Sequence, residues 1–286
     1  MPACAKSLAE TERPGMRVAL SSFTYTWEIG VPGYLPVRPL GVFELLRRTS
    51  SLGVNVLQIA DNIPLDTMSS DELAKLAEEA SERGIDIEVG TRGISEHHLR
   101  TYIEIAKALG SPLLRVVVDS EGDHPTPAEA LARLKALESD FRDGGVTLAV
   151  ENHDRYSVAE LASLIHGLGD WAGICLDTVN SFGALEGPAI VLETLAPLAV
   201  NLHIKDFAVR RLDHAMGFAI EGRPVGAGQL DVPAVLTLLE QYRRVDTGVI
   251  ELWTPPEATI NATIDKEAQW ATESLDYLRH SAGMTD

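Results

Sequence analysis

Along this chain, short runs of aliphatic and β-branched residues alternate with longer stretches whose apolar positions recur every three to four residues. That alternation predicts βα units arranged around a parallel sheet. Eight runs read as strands: RVALSS (17–22), VNVLQIA (54–60), IDIEVG (85–90), LLRVVVD (113–119), VTLAVE (146–151), GICLD (173–177), VNLHIKD (200–206) and GVIEL (248–252). Each is followed by a segment of helical spacing. Eight such units predict an α/β fold, one (β/α)8 TIM barrel forming a single domain over residues 16–286. Residues 1–15 carry scattered charges and no apolar stretch, so they read as a flexible extension rather than a signal peptide.

Local chemistry supports the boundaries. Ser70, Asp71 and Glu72 are placed to cap the segment DELAKLAEEASERG, whose final Gly84 suits the left-handed position after a helix. Gly53, Gly110 and Gly144 repeat that pattern immediately before later strands. The connections from helix to strand are therefore short, whereas those from strand to helix are longer and rich in polar, Gly and Pro residues. A barrel with one functional rim has that asymmetry.

Bulk properties narrow the partners. With 286 residues and 45% hydrophobic content, the chain can bury a large core. Its 42 acidic against 24 basic residues give a formal charge of -18, which repels phosphate backbones and anionic lipid. Nucleic acid and membrane are thus excluded as expected partners, and a small molecule is favoured. The two cysteines, Cys4 near the start and Cys175 within an apolar run, cannot form a disulfide framework. No segment reaches transmembrane length, and the cytoplasm is the expected location. No Gly-rich phosphate fingerprint follows a strand, so no nucleotide cofactor is expected.

The chemistry sits at the strand ends. Glu151, Asp177, His203 and Glu251 close predicted strands five to eight, which are consecutive around one side of the barrel mouth. Alone, an acidic residue at a strand end is more often a helix cap or a solvated ion-pair partner. Here all four sit in apolar contexts (LAVEN, ICLDT, VNLHIKD, VIELW), where an unpaired charge costs roughly 2 to 5 kcal/mol. Three carboxylates and one imidazole form a hard, oxygen-rich ligand set for a divalent cation, Mn²⁺ above all, with Mg²⁺, Co²⁺ or Zn²⁺ as alternatives.

The strand-end phrases ENH, CLDT, HIKD and IELW resemble those of the xylose isomerase-like TIM barrel superfamily, the sugar phosphate isomerase/epimerase group. Its members include ketose 3-epimerases, hydroxypyruvate isomerase, inosose dehydratase, dehydroshikimate dehydratase and endonuclease IV. The resemblance covers nearly the whole chain after residue 16 in motif order and spacing. It implies a metal held by Glu151, Asp177, His203 and Glu251, with a substrate carbonyl and its neighbouring hydroxyl chelated to it. It also implies Glu151 and Glu251 as the catalytic pair that moves protons on either face of the substrate. A homo-oligomer, dimer or tetramer, is a further implication.

One departure bears on the reaction. Many members place a histidine three residues after the aspartate, whereas this chain reads Asp177-Thr178-Val179-Asn180. An amide hydrogen-bonds a substrate but shuttles no proton. Asn180 therefore weighs against simple transfer of the epimerase chemistry, and against a multi-zinc endonuclease.

Further substrate-binding residues are expected nearby. His153 lies two residues after Glu151 and projects to the same side, either to the substrate or to a ligand it supports. Lys205, in HIKD, either faces a substrate anion or pairs with Asp206. Arg92, Arg115 and the pair Arg210-Arg211 are the cations able to grip a carboxylate or phosphate. Arg115 stands inside an apolar strand and needs an internal partner, Glu88 or the substrate. Asp61 and Asn62 follow the second strand and either bind hydroxyls or make an ordinary turn. The aromatic segment SSFTYTWEIGVPGYLP and Trp253-Thr254-Pro255-Pro256 adjoin through strands one and eight, so they either wall the pocket or cover the barrel end.

Two reactions follow. The first is isomerisation or epimerisation of a sugar or sugar acid, with Glu151 and Glu251 exchanging a proton beside a metal-polarised ketone. The alternative is a lyase: decarboxylation of a 3-oxo sugar acid, or a dehydration. Losing a histidine acid/base harms decarboxylation least. The phrases GVPGY, LQIADN, GTRGI, LDTVNSFGALEG and ELWTPPE resemble members linked to branched-sugar catabolism, 3-oxo-isoapionate decarboxylases among them. A non-catalytic sugar-binding protein fits poorly with a complete ligand set, and a DNA-repair enzyme fits poorly with the charge.

Overall fold

Strand period two and helix period 3.6 sort this chain into an inner ring of strands and an outer ring of helices. The computed structural model describes residues 15–286; the extension expected at residues 1–15, except Gly15, lies outside the described residues. The strands are β1 Arg17–Ser21, β2 Val56–Ile59, β3 Asp86–Arg92, β4 Leu113–Val117, β5 Thr147–Glu151, β6 Ala172–Asp177, β7 Ala199–Ile204, β8 Asp206–Arg211, β9 Phe218–Arg223 and β10 Thr247–Ile250. All but β8 and β9 close into one parallel barrel in the order β1, β10, β7, β6, β5, β4, β3, β2. The expected (β/α)8 barrel is present, and each barrel strand ends within two residues of its expected limits.

The unforeseen element is the antiparallel hairpin of β8 and β9, inserted between β7 and the helix Val232–Tyr242. The run VNLHIKD looks like one strand, but the backbone leaves the barrel after Ile204 and Asp206 starts the hairpin. Asp206 explains the turn: its carboxylate accepts the backbone N–H groups of Gly226, Gly228 and Leu230 at 2.9, 2.9 and 3.0 Å. A carboxylate spent on three amides organises the return loop.

Helices cover the barrel where their apolar stripes meet the outward faces of the strands. The helix Ser70–Glu82 buries Leu73, Leu76 and Ala80, and its cap is Ser69 in a reciprocal box with Glu72, one residue before the expected Ser70. Gly84 takes the left-handed conformation, φ +65°, whereas at the later boundary Gly145 rather than Gly144 does so. The expected asymmetry of connections holds. Three residues separate Leu109 from Leu113, but ten separate Ile59 from Ser70, so the long loops gather at the C-terminal mouth.

Inside the barrel the layer beneath the mouth is polar. Gln58, Glu88, Asn201 and Thr247 are buried and joined by hydrogen bonds: Thr247 Oγ1 donates to Glu88 Oε1 at 2.6 Å, and Gln58 Nε2 to Glu88 Oε2 at 2.9 Å. Burial raises the carboxyl of Glu88 above its usual range, and the surrounding donors oppose that rise only in part.

The hairpin is seated on the last strand's exit loop. A methyl group at Gly222 would lie 2.0 Å from the Trp253 carbonyl oxygen, so only glycine fits there. Gly222→Ala is therefore expected to destabilise the protein by roughly 1–3 kcal/mol, read as a lower midpoint in urea unfolding together with an altered aromatic circular dichroism signal from Trp253.

Candidate metal centre

Glu151 ends β5, Asp177 ends β6, His203 is the penultimate residue of β7 and Glu251 follows β10. The parallel register sets Asp177 beside His203 and Val249 beside His203, so the two neighbouring strands deliver their carboxylates to either side of one imidazole. His203 Nδ1 lies 3.4 Å from Glu151 Oε2, 3.4 Å from Glu251 Oε1 and 3.7 Å from Asp177 Oδ2. The donor atoms of Asp177, His203 and Glu251 all fall within 4.8 Å of one another, and the four side chains are buried.

Two of these atoms have unspent capacity. Asp177 Oδ2 and His203 Nδ1 are buried and take part in no hydrogen bond. Asp177 Oδ2 meets the Lys205 ammonium but no hydrogen-bond donor, and a buried polar atom without one costs on the order of 1–3 kcal/mol, so two such atoms facing one another fit a cation between them. The imidazole is also set up for ligation. Gln58 must turn its NH₂ to the Glu88 carboxylate, which leaves Oε1 to accept from His203 Nε2, 2.7 Å away. One proton then resides on Nε2 and Nδ1 faces the carboxylates; burial opposes a second proton, but the neighbouring acidic groups, Cys175, Glu251 and Glu151 among them, raise the imidazole well above its usual value, so a cation at Nδ1 would displace that proton.

Each carboxylate is held by other groups. Asp177 Oδ1 accepts the amides of Val179 and Asn180 at 2.8 Å each. Glu251 Oε1 accepts from Ser21 Oγ at 3.1 Å. Glu151 Oε2 bonds Arg115 Nε in a very short contact, and Glu151 Oε1 accepts from Asn180 Nδ2 at 2.6 Å. Lys205 Nζ stands 2.8 Å from both Asp177 Oδ2 and Glu251 Oε2, an ion pair with each, and donates to Asn180 Oδ1 at 3.2 Å. Burial works against Asp177's charge, but Lys205 and His203 outweigh it and hold the carboxyl at about 2. Glu251 is likewise kept well below the carboxylate range, with His203 and Lys205 overcoming its burial. The ammonium of Lys205 is held above its ordinary value because Asp177, Glu251 and Glu151 overcome its desolvation.

Several expectations about partners change. Arg115 pairs not with Glu88 but with Glu151 and, at 2.7 Å, with Asp61 Oδ1. Gly90 makes this path available, since a methyl there would press on Arg115 Cδ at 3.2 Å, and Glu88 lies a layer deeper. Lys205 pairs with Asp177 and Glu251 rather than Asp206, whose carboxylate serves the hairpin loop. The structure does not bring Arg210 to the mouth: on β8 it pairs at 2.9 Å with Glu221 of β9 and is half exposed. Arg211 stacks on Phe218 instead.

The remaining predicted residues meet in one cavity of about 450 Å³. It is lined by Arg92, Arg115, His153, Asn180, Lys205 and Glu251, and walled by Phe23, Trp27, Trp253 and Thr254. Thus the first and last loops do form a wall. Arg92 reaches Asp61 Oδ2 at 3.3 Å and His153 Nε2 at 3.4 Å. Asn62, by contrast, is engaged locally with Ser22.

Sequence reasoning overlooked Gln58 and Ser21. The signal for Gln58 was available: one amide in the aliphatic run VNVLQIA. Cys175, read as packing, is buried and packs with Leu113 and Ala149, yet its sulfur also lies within 4.8 Å of donor atoms of Glu151 and His203. Burial pushes its thiol up to about 12, so it remains a neutral donor to Asn201 Oδ1.

The xylose isomerase-like TIM barrel model matches residues 46–280. This chain belongs to that family. A 3-oxo-isoapionate decarboxylase from Pectobacterium atrosepticum is 34% identical over 266 residues, covering 92% of this chain and 95% of the relative. Among solved structures, a D-psicose 3-epimerase crystallised in the presence of D-fructose superposes with a TM-score of 0.70 at 15% identity, covering 94% of this chain and all of the other. A family member from Mycobacterium smegmatis in complex with magnesium gives 0.67 at 14% identity, over 91% and 97% of the two chains. At these identities the two structures speak for the fold.

Gln58→Leu removes the group that holds the His203 proton on Nε2, so it is expected to weaken divalent-cation binding 10- to 100-fold with an unchanged circular dichroism spectrum. His203→Ala and Glu251→Gln are expected to abolish high-affinity binding in isothermal titration calorimetry. Full metal stoichiometry in those two variants would refute the ligand assignment.

Proposed function

We propose that this protein is a divalent-cation-dependent decarboxylase of a 3-oxo sugar acid, with Glu151, Asp177, His203 and Glu251 as the ligands. The oxygen-rich set suits Mn²⁺, with Mg²⁺ as the nearest alternative. Bound there, the cation supplies Lewis-acid polarisation of the substrate ketone.

The observation that carries the choice of reaction is the state of Glu151. Arg115 Nε holds one of its oxygens and Asn180 Nδ2 the other. With both oxygens committed to fixed donors, Glu151 presents neither of them freely to a substrate C–H, and Asn180 has no proton to shuttle. Epimerisation needs C–H abstraction and redelivery on opposite faces, a task that this Glu151 performs poorly. Decarboxylation needs no C–H abstraction: the C1–C2 bond breaks, its electron pair forms the C2=C3 bond of an enolate as the C3 oxygen takes the negative charge, carbon dioxide leaves, and C2 then takes a proton from water.

Charge supports the same substrate class. Glu151, Asp177, Glu251 and Asp61 supply four negative charges, against three from Arg115, Lys205 and Arg92. A divalent cation turns that deficit of one into an excess of one, which a monocarboxylate neutralises. Arg92, His153, Asn180 and Lys205, which all line the cavity, bind the acid's oxygens and hydroxyls, while Trp27 and Trp253 limit the length of the sugar chain. The decarboxylase relative, similar over nearly its full length, supports this reading.

The second reading, ketose epimerisation, keeps one supporting feature. Glu251 stands at the cavity edge with Ser21 as its hydroxyl donor, as a single base would. Incubation with Mn²⁺ and 3-oxo sugar acids is expected to release one carbon dioxide per substrate consumed, followed by coupled gas detection. Conversion of ketohexoses or ketopentoses without gas would establish epimerisation in its place.

A further inference from the structure

The cavity's aromatic wall hangs from a residue that sequence reasoning passed over. Glu267 lies in the middle of the C-terminal helix Ile260–His280, is fully buried, and is not itself one of the residues that line the cavity. Its carboxylate crosses to the segment after β1 and there holds the backbone of Trp27, a lining residue. Trp27 N–H donates to Glu267 Oε1 and Oε2 at 3.1 and 3.2 Å, and Glu28 N–H donates to Oε2 at 3.3 Å. These amides belong to the first turn of the short helix Thr26–Ile29, where backbone N–H groups have no helical partner.

Trp27 completes the connection. Its indole Nε1 donates to the Thr254 carbonyl at 2.8 Å, and both Trp27 and Thr254 line the cavity. The exit loops of β1 and β10 are therefore pinned together, with Glu267 beneath. We propose that Glu267 is a positioning residue that latches this wall through the backbone of Trp27, setting how tightly the cavity holds its substrate. The kinetic consequence rests on the reading of the cavity as the substrate site; the latch itself does not.

The latch also has a direction with pH. Burial pushes the Glu267 carboxyl up to about 8, against the pull of the Trp27 and Glu28 amides. The charged and titratable groups facing it are Glu28, Arg48 and Tyr25, of which Glu28 and Arg48 pair with each other. A carboxyl whose value is higher when latched than when solvated favours latching in its protonated form. The latch is accordingly strongest in acid and weakens as pH rises towards about 8.

Hydrogen exchange by mass spectrometry on residues 22–40, corrected for intrinsic base catalysis, reads the latch directly. Glu267→Ala is expected to speed exchange at residues 26–30 and to raise KM, each about tenfold, with kcat within about twofold. Glu267→Gln mimics the protonated acid, so it is expected to keep parental exchange at neutral pH and lose the loosening seen in the parent towards pH 8. Folded Glu267→Ala with parental exchange at residues 26–30 overturns the proposal. So does Glu267→Gln retaining the parental pH response, a comparison that stands even if Glu267→Ala does not fold. Because exchange needs no substrate, it decides the latch even if no 3-oxo acid is turned over.

Discussion

Three carboxylates converge on one imidazole nitrogen at the floor of the barrel mouth, and the surrounding structure is organised around the positive charge this demands. Removing like charges from water and setting them within a few ångströms of one another costs several kcal/mol for each unless cations compensate. Two are built in. Arg115 serves Glu151 and Asp61, and Lys205 spans Asp177 and Glu251. Yet Asp177 Oδ2 and His203 Nδ1 still make no hydrogen bond, and this residual demand is where a divalent ion fits.

The barrel makes that concentration of charge stable. Strand alternation carries Asn201 and His203 to the inner face of β7 and leaves Leu202 and Ile204 to the helices. Below the ligands the hydrogen-bonded group of Gln58, Glu88, Asn201 and Thr247 fixes the imidazole from behind. Orientation of a ligand by such partners commonly matters as much as the ligand's identity. Above the ligands, loops from opposite ends of the chain meet at Trp27 and Thr254, because β1 and β10 are neighbours in the closed sheet.

How much of this is legible in the sequence follows from distance along the chain. The strands and the convergence of Glu151, Asp177, His203 and Glu251 are legible because period two and strand-end position are local properties that the barrel turns into proximity. Pairings are less so. Arg115 visibly needs a partner, but the choice of Glu151 and Asp61 over Glu88 depends on which layer each side chain occupies, and on the space that Gly90 leaves. Arg210 resembles an active-site cation until the backbone departs at Asp206 and carries it to the hairpin. Glu267 gives no sign at all, being one of two glutamates in a long helix, and only the tertiary fold shows its carboxylate on the Trp27 amide.

Two neighbours act on a single carboxylate of the mouth. Asn180, standing where many relatives place a histidine, donates to Glu151, and Arg115 holds the same carboxylate from the other side. Together the two contacts occupy both oxygens and fix the carboxylate in place, so that neither oxygen is free to swing towards a neighbouring group. One arginine and one amide thus fix both oxygens of the same carboxylate, so the geometry of the mouth is set as much by the groups that hold Glu151 as by Glu151 itself.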